Sequence, residues 1–197
     1  DERGHKVGNP DAPVKLTAFV SYTCSVCAAF EIRSDAPLRA AYIHEGKVEM
    51  EVRPAIHNPV DLAATLIAEC GPKEKYFDNH RRIIFAQSVW MYKVQNASEA
   101  QQARWYSGST TSRMRAIAAD LDFYDLMETR GYSRSQLDRC LADEARADAL
   151  AEMSAADKAR VGYPGTPSFL INGTLVEGAH SWRSLQPAID ANLSSGE

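Results

Sequence analysis

Two changes in residue pattern along the chain limit most strongly what it can fold into. Residues 61–161 are rich in Ala, Leu, Arg, Asp and Glu at helical spacing, whereas the segments before and after them carry the alternation and β-branched residues of strands. The predicted order is strand, helix, strand, a run of helices, and then two strands and a helix. We therefore expect an α/β fold in which 1–60 and 162–197 form one discontinuous domain and 61–161 forms an inserted helical domain.

Short motifs locate the elements within this frame. Val14–Val20 and Lys47–Arg53 combine alternation with β-branched or apolar residues and predict strands. Pro37 is predicted to kink or break the helix after the first strand, since proline lacks the N–H that a helix needs. Asn172-Gly173 lies between two strand-like runs and predicts a two-residue hairpin turn. The predicted helix N-caps are Ser98, Ser109 or Thr110, Ser133 and Ser181.

Composition and charge exclude several classes of protein. The 197 residues are 45% hydrophobic and 24% charged, which is typical of a folded globular chain. The net charge is −4 and no block of about five or six like charges occurs, so nucleic acid is not an expected partner. No apolar run approaches the roughly 20 residues that cross a bilayer, and residues 1–6 are too polar for the apolar part of a signal peptide. We expect no membrane insertion, and a chain that is either processed or trimmed.

Cys24-Ser25-Val26-Cys27 stands where the first predicted strand ends and a helix begins. The free N–H groups and the dipole of a helix N-terminus stabilise an anion, which lowers a thiol pKa from about 8.5 toward about 3.5–7.5. Cys24 is therefore expected to be an exposed nucleophilic thiolate. Cys27 lies one turn inside the helix, within reach of a disulfide with Cys24, and is expected to be the buried resolving thiol. Ser25 and Val26, between the two cysteines, are the residues expected to tune this couple.

Half of a zinc site or two structural cysteines would show the same spacing. Zinc needs two further ligands, and the chain has neither a second CxxC nor an HxxxH pair. The two other cysteines, Cys70 and Cys140, stand singly in separate predicted helices. We expect no metal and no cofactor beyond the Cys24–Cys27 disulfide. A redox couple and inert packing remain as the two interpretations of the motif.

Two distant motifs carry a resemblance to a known family. Residues 19–27 read FVSYTCSVC, and after the helical segment residues 162–173 read GYPGTPSFLING. In this order they are similar to the DsbA-like branch of the thioredoxin-fold disulfide oxidoreductases of bacteria. The likeness includes GNPDAPV at 8–14 and covers nearly the whole chain. The resemblance implies a thioredoxin fold with a large helical insertion, and a thiol:disulfide oxidoreductase that acts on cysteine-containing secreted polypeptides.

A substrate site is implied by the same resemblance. Thr166-Pro167 would form a cis peptide bond facing the CxxC motif, although Pro164 is a second candidate for the cis bond. The Thr166 backbone would then pair with an extended substrate beside the disulfide. Apart from the resemblance, the residues themselves suggest the hypothesis that exposed Tyr22 and Tyr163 form an apolar rim around Cys24 suited to an unfolded polypeptide. A periplasmic or secreted monomer is implied, with a membrane or soluble redox partner that the sequence does not identify.

Cys70 and Cys140 form a second pair of cysteines. Buried free thiols are a common form of packing. In an oxidising compartment, however, two facing thiols would be bonded, and some bacterial members of the family similarly carry a second disulfide in the helical domain. We therefore expect a Cys70–Cys140 disulfide.

The expected activity is oxidative disulfide formation. A disulfide isomerase or reductase of the same fold, and a binding module whose CxxC is only structural, are the alternatives. The strongly oxidising members of the family carry Pro-His between the cysteines and an acidic residue six positions before the first one. This chain has Ser25-Val26 and Ala18 at those positions.

These departures predict a reduction potential for the Cys24–Cys27 couple between about −270 mV, that of thioredoxin, and about −120 mV, that of DsbA. Redox titration of the couple in glutathione buffers measures it. A potential of about −120 mV or higher would contradict the prediction.

Overall fold

A computed structural model describes residues 3–194 of the chain and divides it into two compact units. The first contains the residues up to Ala55 and those from Ala156 onward, and the second is Ile56–Ala155. The boundaries lie five and six residues before the predicted positions 60 and 161. The second boundary is shifted because one continuous helix crosses it, so the helical pattern runs on into the first unit. Residues 1–2 and 195–197 of the predicted discontinuous domain lie outside the described residues.

A mixed sheet forms the centre of the first unit. Its strands, within the described residues, are β1 (His5–Val7), β2 (Val14–Val20), β3 (Val48–Pro54), β4 (Ser168–Ile171) and β5 (Thr174–Leu175). They are ordered β1-β3-β2-β4-β5, and β2 and β3 run parallel whereas the other neighbours are antiparallel. The predicted hairpin turn is confirmed, since Asn172 and Gly173 both have a positive φ, 49° and 85°. The sequence does not indicate β1, because three residues at a sheet edge are too few to show alternation.

The described residues form ten α-helices. They are α1 (Ser25–Leu38), α2 (Pro59–Ala68), α3 (Tyr76–Phe85), α4 (Gln87–Gln95), α5 (Glu99–Tyr106), α6 (Thr110–Asp120), α7 (Phe123–Glu128), α8 (Arg134–Leu141), α9 (Glu144–Val161) and α10 (Trp182–Ser194). The first unit contains α1, α10 and the end of α9, and the second contains the others. Each predicted N-cap accepts a backbone hydrogen bond from the first turn of its helix: Ser98, Ser109, Ser133 and Ser181. Between residues 3 and 194, no helix is long and apolar enough to span a bilayer.

Pro37 does not break α1, so the predicted break is wrong, whereas the predicted kink stays a prediction. The helix continues to Leu38, and the N–H of Arg39 donates to the carbonyls of Asp35 and Ala36. Helical backbone bonding is therefore present at Arg39, two residues after the proline. The following residues form a π-helical turn, Arg39–Ile43. A wider turn of this kind absorbs a local disturbance of the helical hydrogen bonds without ending the helix.

Near the end of β2, aromatic side chains cover both faces of the sheet. On one face, Phe169 pairs with Ala18 across the sheet, and Phe30 of α1 lies on Phe169 with ring centroids 4.6 Å apart. On the other face, Phe19 stacks on Tyr163 with ring centroids 4.4 Å apart. The segment that follows β2 therefore starts from a position held by aromatic packing on both sides.

The helix α2 is central to the second unit. It packs against α3, α5, α6 and α8, and most of its side chains are buried. Just beyond its end, Cys70 is bonded to Cys140 of α8, with the two Cα atoms 5.6 Å apart. The Cys70 carbonyl also accepts hydrogen bonds from Asn79 and from the Tyr132 hydroxyl. The disulfide thus closes a loop that holds most of the helical unit.

Replacement of both cysteines, Cys70→Ala/Cys140→Ala, is expected to lower the free energy of unfolding by about 4 kcal/mol. The pair is separated by 70 residues, and freeing a loop of that length raises the entropy of the unfolded chain. Urea denaturation of the oxidised proteins measures the difference. The matched control, Cys24→Ser/Cys27→Ser, opens only a short loop and is expected to cost less. A change for the first pair no larger than that for the control would contradict the prediction.

Candidate active site

Cys24 is the N-cap of α1. Its backbone is extended, and its sulfur accepts a hydrogen bond from the backbone N–H of Cys27 at 3.2 Å. The backbone N–H of Cys24 donates to the Ser21 carbonyl, which fixes the turn between β2 and the helix. The sequence places the CxxC motif at the junction of a strand and a helix, and the structure has it there. The Cys24 sulfur takes the position that a capping oxygen occupies in other helices.

The two thiols of the motif differ in environment. Cys24 is partly exposed, whereas Cys27 is fully buried at 0% exposure, and the two sulfurs are not bonded to each other. The exposure of each cysteine therefore matches its predicted role, since the predicted nucleophile Cys24 is accessible and the predicted resolving thiol Cys27 is buried.

The hydrogen bond from the Cys27 thiol lowers the pKa of Cys24 to about 5, although partial burial opposes the shift. Smaller contributions come from the Thr166 side chain and from the backbone N–H groups of Cys27 and Val26. Burial strongly raises the pKa of Cys27, and the hydrogen bond to Cys24 and the negative charge there raise it further. Between these two pKa values the pair holds one proton, which resides on Cys27 while Cys24 is a thiolate.

Thr166 and Pro167 lie directly beside this thiol. The peptide bond between them is cis, and no other cis bond occurs in residues 3–194, so Pro164 is in a trans linkage. When Cys24 is protonated, its thiol donates to the Thr166 carbonyl at 3.2 Å. The Ser168 hydroxyl donates to the Gly165 carbonyl at 2.6 Å. The segment predicted to meet substrate is thus in contact with the nucleophilic sulfur.

Val26 affects the pKa of Cys24 through its backbone N–H and not through its side chain. Its backbone N–H contributes to the low pKa of Cys24, as expected for the first turn of a helix. Its side chain is 47% exposed, and Ser25 is also exposed. Val26 therefore supplies an apolar surface next to the nucleophile as well as an N–H donor.

The predicted apolar rim of Tyr22 and Tyr163 is wrong. Both residues are only 2% exposed, and Tyr163 stacks on Phe19 inside the first unit. Aromatic rings beside the end of a buried strand gain more from filling the core than from facing water. Val26 is the exposed apolar side chain in this part of the motif.

The sequence analysis missed His180, whose ring nitrogen Nδ1 lies 3.0 Å from the Pro167 carbonyl. The residue follows the hairpin by several positions, and a lone histidine before a helix carries no signal of contact with a distant proline. The only available indication is its place in the final connection of the discontinuous domain.

No group of three or more His, Cys, Asp and Glu side chains within the described residues is arranged to hold a metal ion. The reactive groups that the structure brings together at the site are the sulfurs of Cys24 and Cys27. A thiolate next to a proton-holding thiol supports thiol–disulfide exchange, because one sulfur attacks and the other resolves.

Comparison with known proteins relates the chain to one family. The profile of the family described as Thioredoxin matches residues 1–191. The crystal structure of a protein-disulfide isomerase from Novosphingobium aromaticivorans is 42% identical in sequence, aligns over 97% of each chain and has a TM-score of 0.93. That of α-DsbA1 from Wolbachia pipientis aligns over 99% of this chain and 93% of its own, with a TM-score of 0.75. At 19% identity, this second likeness concerns the fold alone.

Curated relatives point the same way. A Rickettsia bellii protein named as a protein-disulfide oxidoreductase is 25% identical over 198 residues, which amount to 100% of this chain and 67% of the relative. The chain spans 61–67% of the length of the curated Rickettsia relatives that it matches. The family match is thus to Thioredoxin, and the Novosphingobium aromaticivorans and Rickettsia relatives are both named for protein-disulfide chemistry.

The rate of alkylation of the reduced CxxC motif by iodoacetamide is expected to rise with pH around a midpoint near the Cys24 pKa of about 5. Cys27→Ala removes the hydrogen bond that lowers this pKa most, so the midpoint is expected to move to higher pH. Cys27→Ser is the matched control, since its hydroxyl can still donate and is expected to give a smaller shift. An unchanged midpoint in Cys27→Ala would show that the Cys27 side chain does not stabilise the thiolate. The Cys70–Cys140 disulfide is left oxidised throughout.

Proposed function

This chain belongs to the thioredoxin family as a DsbA-like thioredoxin-fold oxidoreductase, and we propose that it oxidises pairs of cysteine thiols in secreted polypeptides. The observation that carries the proposal is the asymmetry of Cys24 and Cys27. Cys24 is accessible, with a pKa lowered to about 5, and Cys27 is fully buried with a raised pKa. This division suits one sulfur to exchange with substrate and the other to release it.

The proposed oxidation proceeds by two exchanges. A substrate thiolate attacks Cys24 in the Cys24–Cys27 disulfide, which forms a mixed disulfide and releases Cys27, and Cys27 then takes a proton because of its raised pKa. A second substrate thiolate attacks its own partner sulfur in the mixed disulfide, and Cys24 leaves as a stable thiolate. The substrate loses two electrons and gains a disulfide, while the protein gains two electrons as a dithiol.

The low Cys24 pKa favours this direction of exchange. A stabilised thiolate stabilises the reduced protein, and a stable reduced form makes the disulfide a stronger oxidant. The Cys24 value of about 5 lies between the thiol pKa values of about 7 in thioredoxin and about 3.5 in DsbA. It therefore supports a reduction potential between those of the two proteins.

The substrate in this proposal is an extended polypeptide bound along Thr166. The Thr166 carbonyl lies 3.2 Å from the Cys24 sulfur, so a main chain paired with it would pass the nucleophile. Main-chain pairing reads no side chains, which suits many substrates. The site residues proposed are Cys24 and Cys27 for exchange and Thr166 and Pro167 for substrate binding. Val26, with Ser25, would tune the couple.

The remaining features of the proposal concern the surroundings of the protein. No cofactor is required, since the electrons pass through the Cys24–Cys27 disulfide. The reduced protein would be reoxidised by a disulfide-bearing partner, either soluble or in a membrane. The Cys70–Cys140 disulfide supports a periplasmic or secreted location, because stable disulfides form in oxidising compartments. We propose that the protein acts there as a monomer.

Disulfide isomerisation is the second candidate. It is favoured by the Novosphingobium aromaticivorans relative, which is 42% identical over nearly the full chain and is described as a protein-disulfide isomerase. Isomerisation requires a nucleophilic thiolate to open a wrong disulfide and to leave again, so it depends on Cys24 more than on Cys27. A non-catalytic binding module would depend on neither.

Variants of the two cysteines separate these functions. Oxidation of reduced ribonuclease is expected to be lost in both Cys24→Ser and Cys27→Ala, because an oxidant needs both sulfurs. Refolding of scrambled ribonuclease is expected to be lost in Cys24→Ser and partly retained in Cys27→Ala. The wild-type protein is expected to be the better catalyst in the first assay.

Wild-type protein that refolds scrambled ribonuclease well but oxidises reduced ribonuclease poorly would replace oxidation with isomerisation. Wild-type protein without activity in either assay would contradict any redox role and favour the binding module.

A further inference from the structure

We propose that His180 is a positioning residue for the substrate, because its imidazole holds the Pro167 carbonyl and thereby keeps the Thr166 main chain in place beside Cys24. The inference rests on the proposed function, since it concerns the segment proposed to bind the polypeptide. It assigns a role to a residue that is separated from Pro167 by 13 positions and is absent from the sequence motifs.

The hydrogen bond has a defined polarity. Nδ1 of His180 lies 3.0 Å from the Pro167 carbonyl oxygen. A carbonyl oxygen only accepts, so Nδ1 carries a proton and donates it. In the neutral ring, Nε2 is then the nitrogen without a proton.

Three consecutive carbonyls in the cis-proline segment each have a different partner. The Gly165 carbonyl accepts from the Ser168 hydroxyl, the Thr166 carbonyl from the Cys24 thiol, and the Pro167 carbonyl from His180. Proline has no N–H, so Pro167 itself can donate no main-chain bond that would secure the segment. Side chains therefore secure the segment at these carbonyls.

The bond from Cys24 is lost in the reactive state. A thiolate has no proton to donate, and in the Cys24–Cys27 disulfide the sulfur has none either. The Thr166 carbonyl is then released from Cys24 and is available to a substrate N–H. At that stage His180 and Ser168 are the side chains that still hold the neighbouring carbonyls, so His180 acts when substrate binds.

His180 is itself held by the first unit. Its backbone N–H donates to the Ser184 hydroxyl in the first turn of α10 at 3.2 Å. The preceding Ala179 is buried at 2% exposure, and the following Ser181 caps the helix. The backbone of His180, an exposed residue, is therefore fixed at a helix terminus, and its imidazole connects that terminus to the Pro167 carbonyl.

Loss of this bond is expected to affect substrate binding more than sulfur chemistry. A loosened segment must be ordered each time a polypeptide binds, which weakens binding. The largest contribution that lowers the Cys24 pKa comes from the Cys27 side chain, which lies outside this segment, so the thiolate is expected to persist. A disulfide compound without a peptide backbone would not use the segment at all.

The test compares His180→Leu with His180→Asn, which are similar in shape. The Asn amide places an N–H close to the position of Nδ1, whereas Leu has no donor. For an extended peptide with two cysteine thiols, oxidised by the protein with an excess of a small-molecule disulfide as the terminal oxidant, His180→Leu is expected to raise KM roughly three- to tenfold, the equivalent of one neutral hydrogen bond, with kcat little changed. His180→Asn is expected to restore KM to within about twofold of wild type. In both variants, the rate with a small-molecule disulfide and the alkylation midpoint of Cys24 are expected to match wild type.

Equal KM values for His180→Leu and wild type, or for His180→Leu and His180→Asn when both are raised, would overturn the role of the donor. A parallel loss of exchange with the small-molecule disulfide would show a general disturbance of the site and would also overturn it. Both results leave the proposed function intact. If wild-type protein exchanges with the small-molecule disulfide but does not turn over the peptide, the proposed function fails and this inference fails with it.

Discussion

The placement of the Cys24 sulfur at the N-terminus of α1, within hydrogen-bond reach of both the Cys27 thiol and the backbone N–H of Cys27, is the constraint on which the site depends. A helix offers unpaired N–H groups only at its start, so the sulfur has to sit at that point to be stabilised as an anion. The backbone of Cys24 is held there by the Ser21 carbonyl, and β2 is held by aromatic packing on both faces of the sheet. The position of one sulfur is therefore determined by the core of the first unit.

Opposite environments for two nearby thiols follow from that placement. Cys27 lies one helical turn after Cys24 and is buried in the core, where a charged sulfur is poorly solvated. The proton therefore stays on Cys27, and the bond that this proton makes to Cys24 is the largest of the contributions that lower the pKa of Cys24. Burial of one cysteine and ionisation of the other reinforce each other, so a motif of four residues gives two sulfurs of different chemistry.

The cis-proline segment couples the substrate site to the same sulfur. In the thiol form, Cys24 occupies the Thr166 carbonyl, whereas in the thiolate or disulfide form it does not. The state of the sulfur thus decides whether that carbonyl is free to pair with another chain. The second unit contributes a separate kind of constraint, a disulfide that closes a long loop of helices. The Cys70–Cys140 disulfide stabilises the second unit, whereas the Cys24–Cys27 disulfide of the first unit is proposed to form and break during exchange.

Local patterns in the sequence determined the order of elements, the hairpin at Asn172-Gly173, the helix caps and the location of the CxxC motif, because each depends on residues close together in the chain. Burial and long-range contact were decided by the tertiary structure alone. Tyr163 faces Phe19 rather than solvent, the helix continues past Pro37, and His180 meets the Pro167 carbonyl. These outcomes depend on which segments, distant in the chain, come into contact in the folded protein. The spacing of residues along the chain does not show these contacts, because packing and hydrogen bonding act between atoms that only the fold brings together.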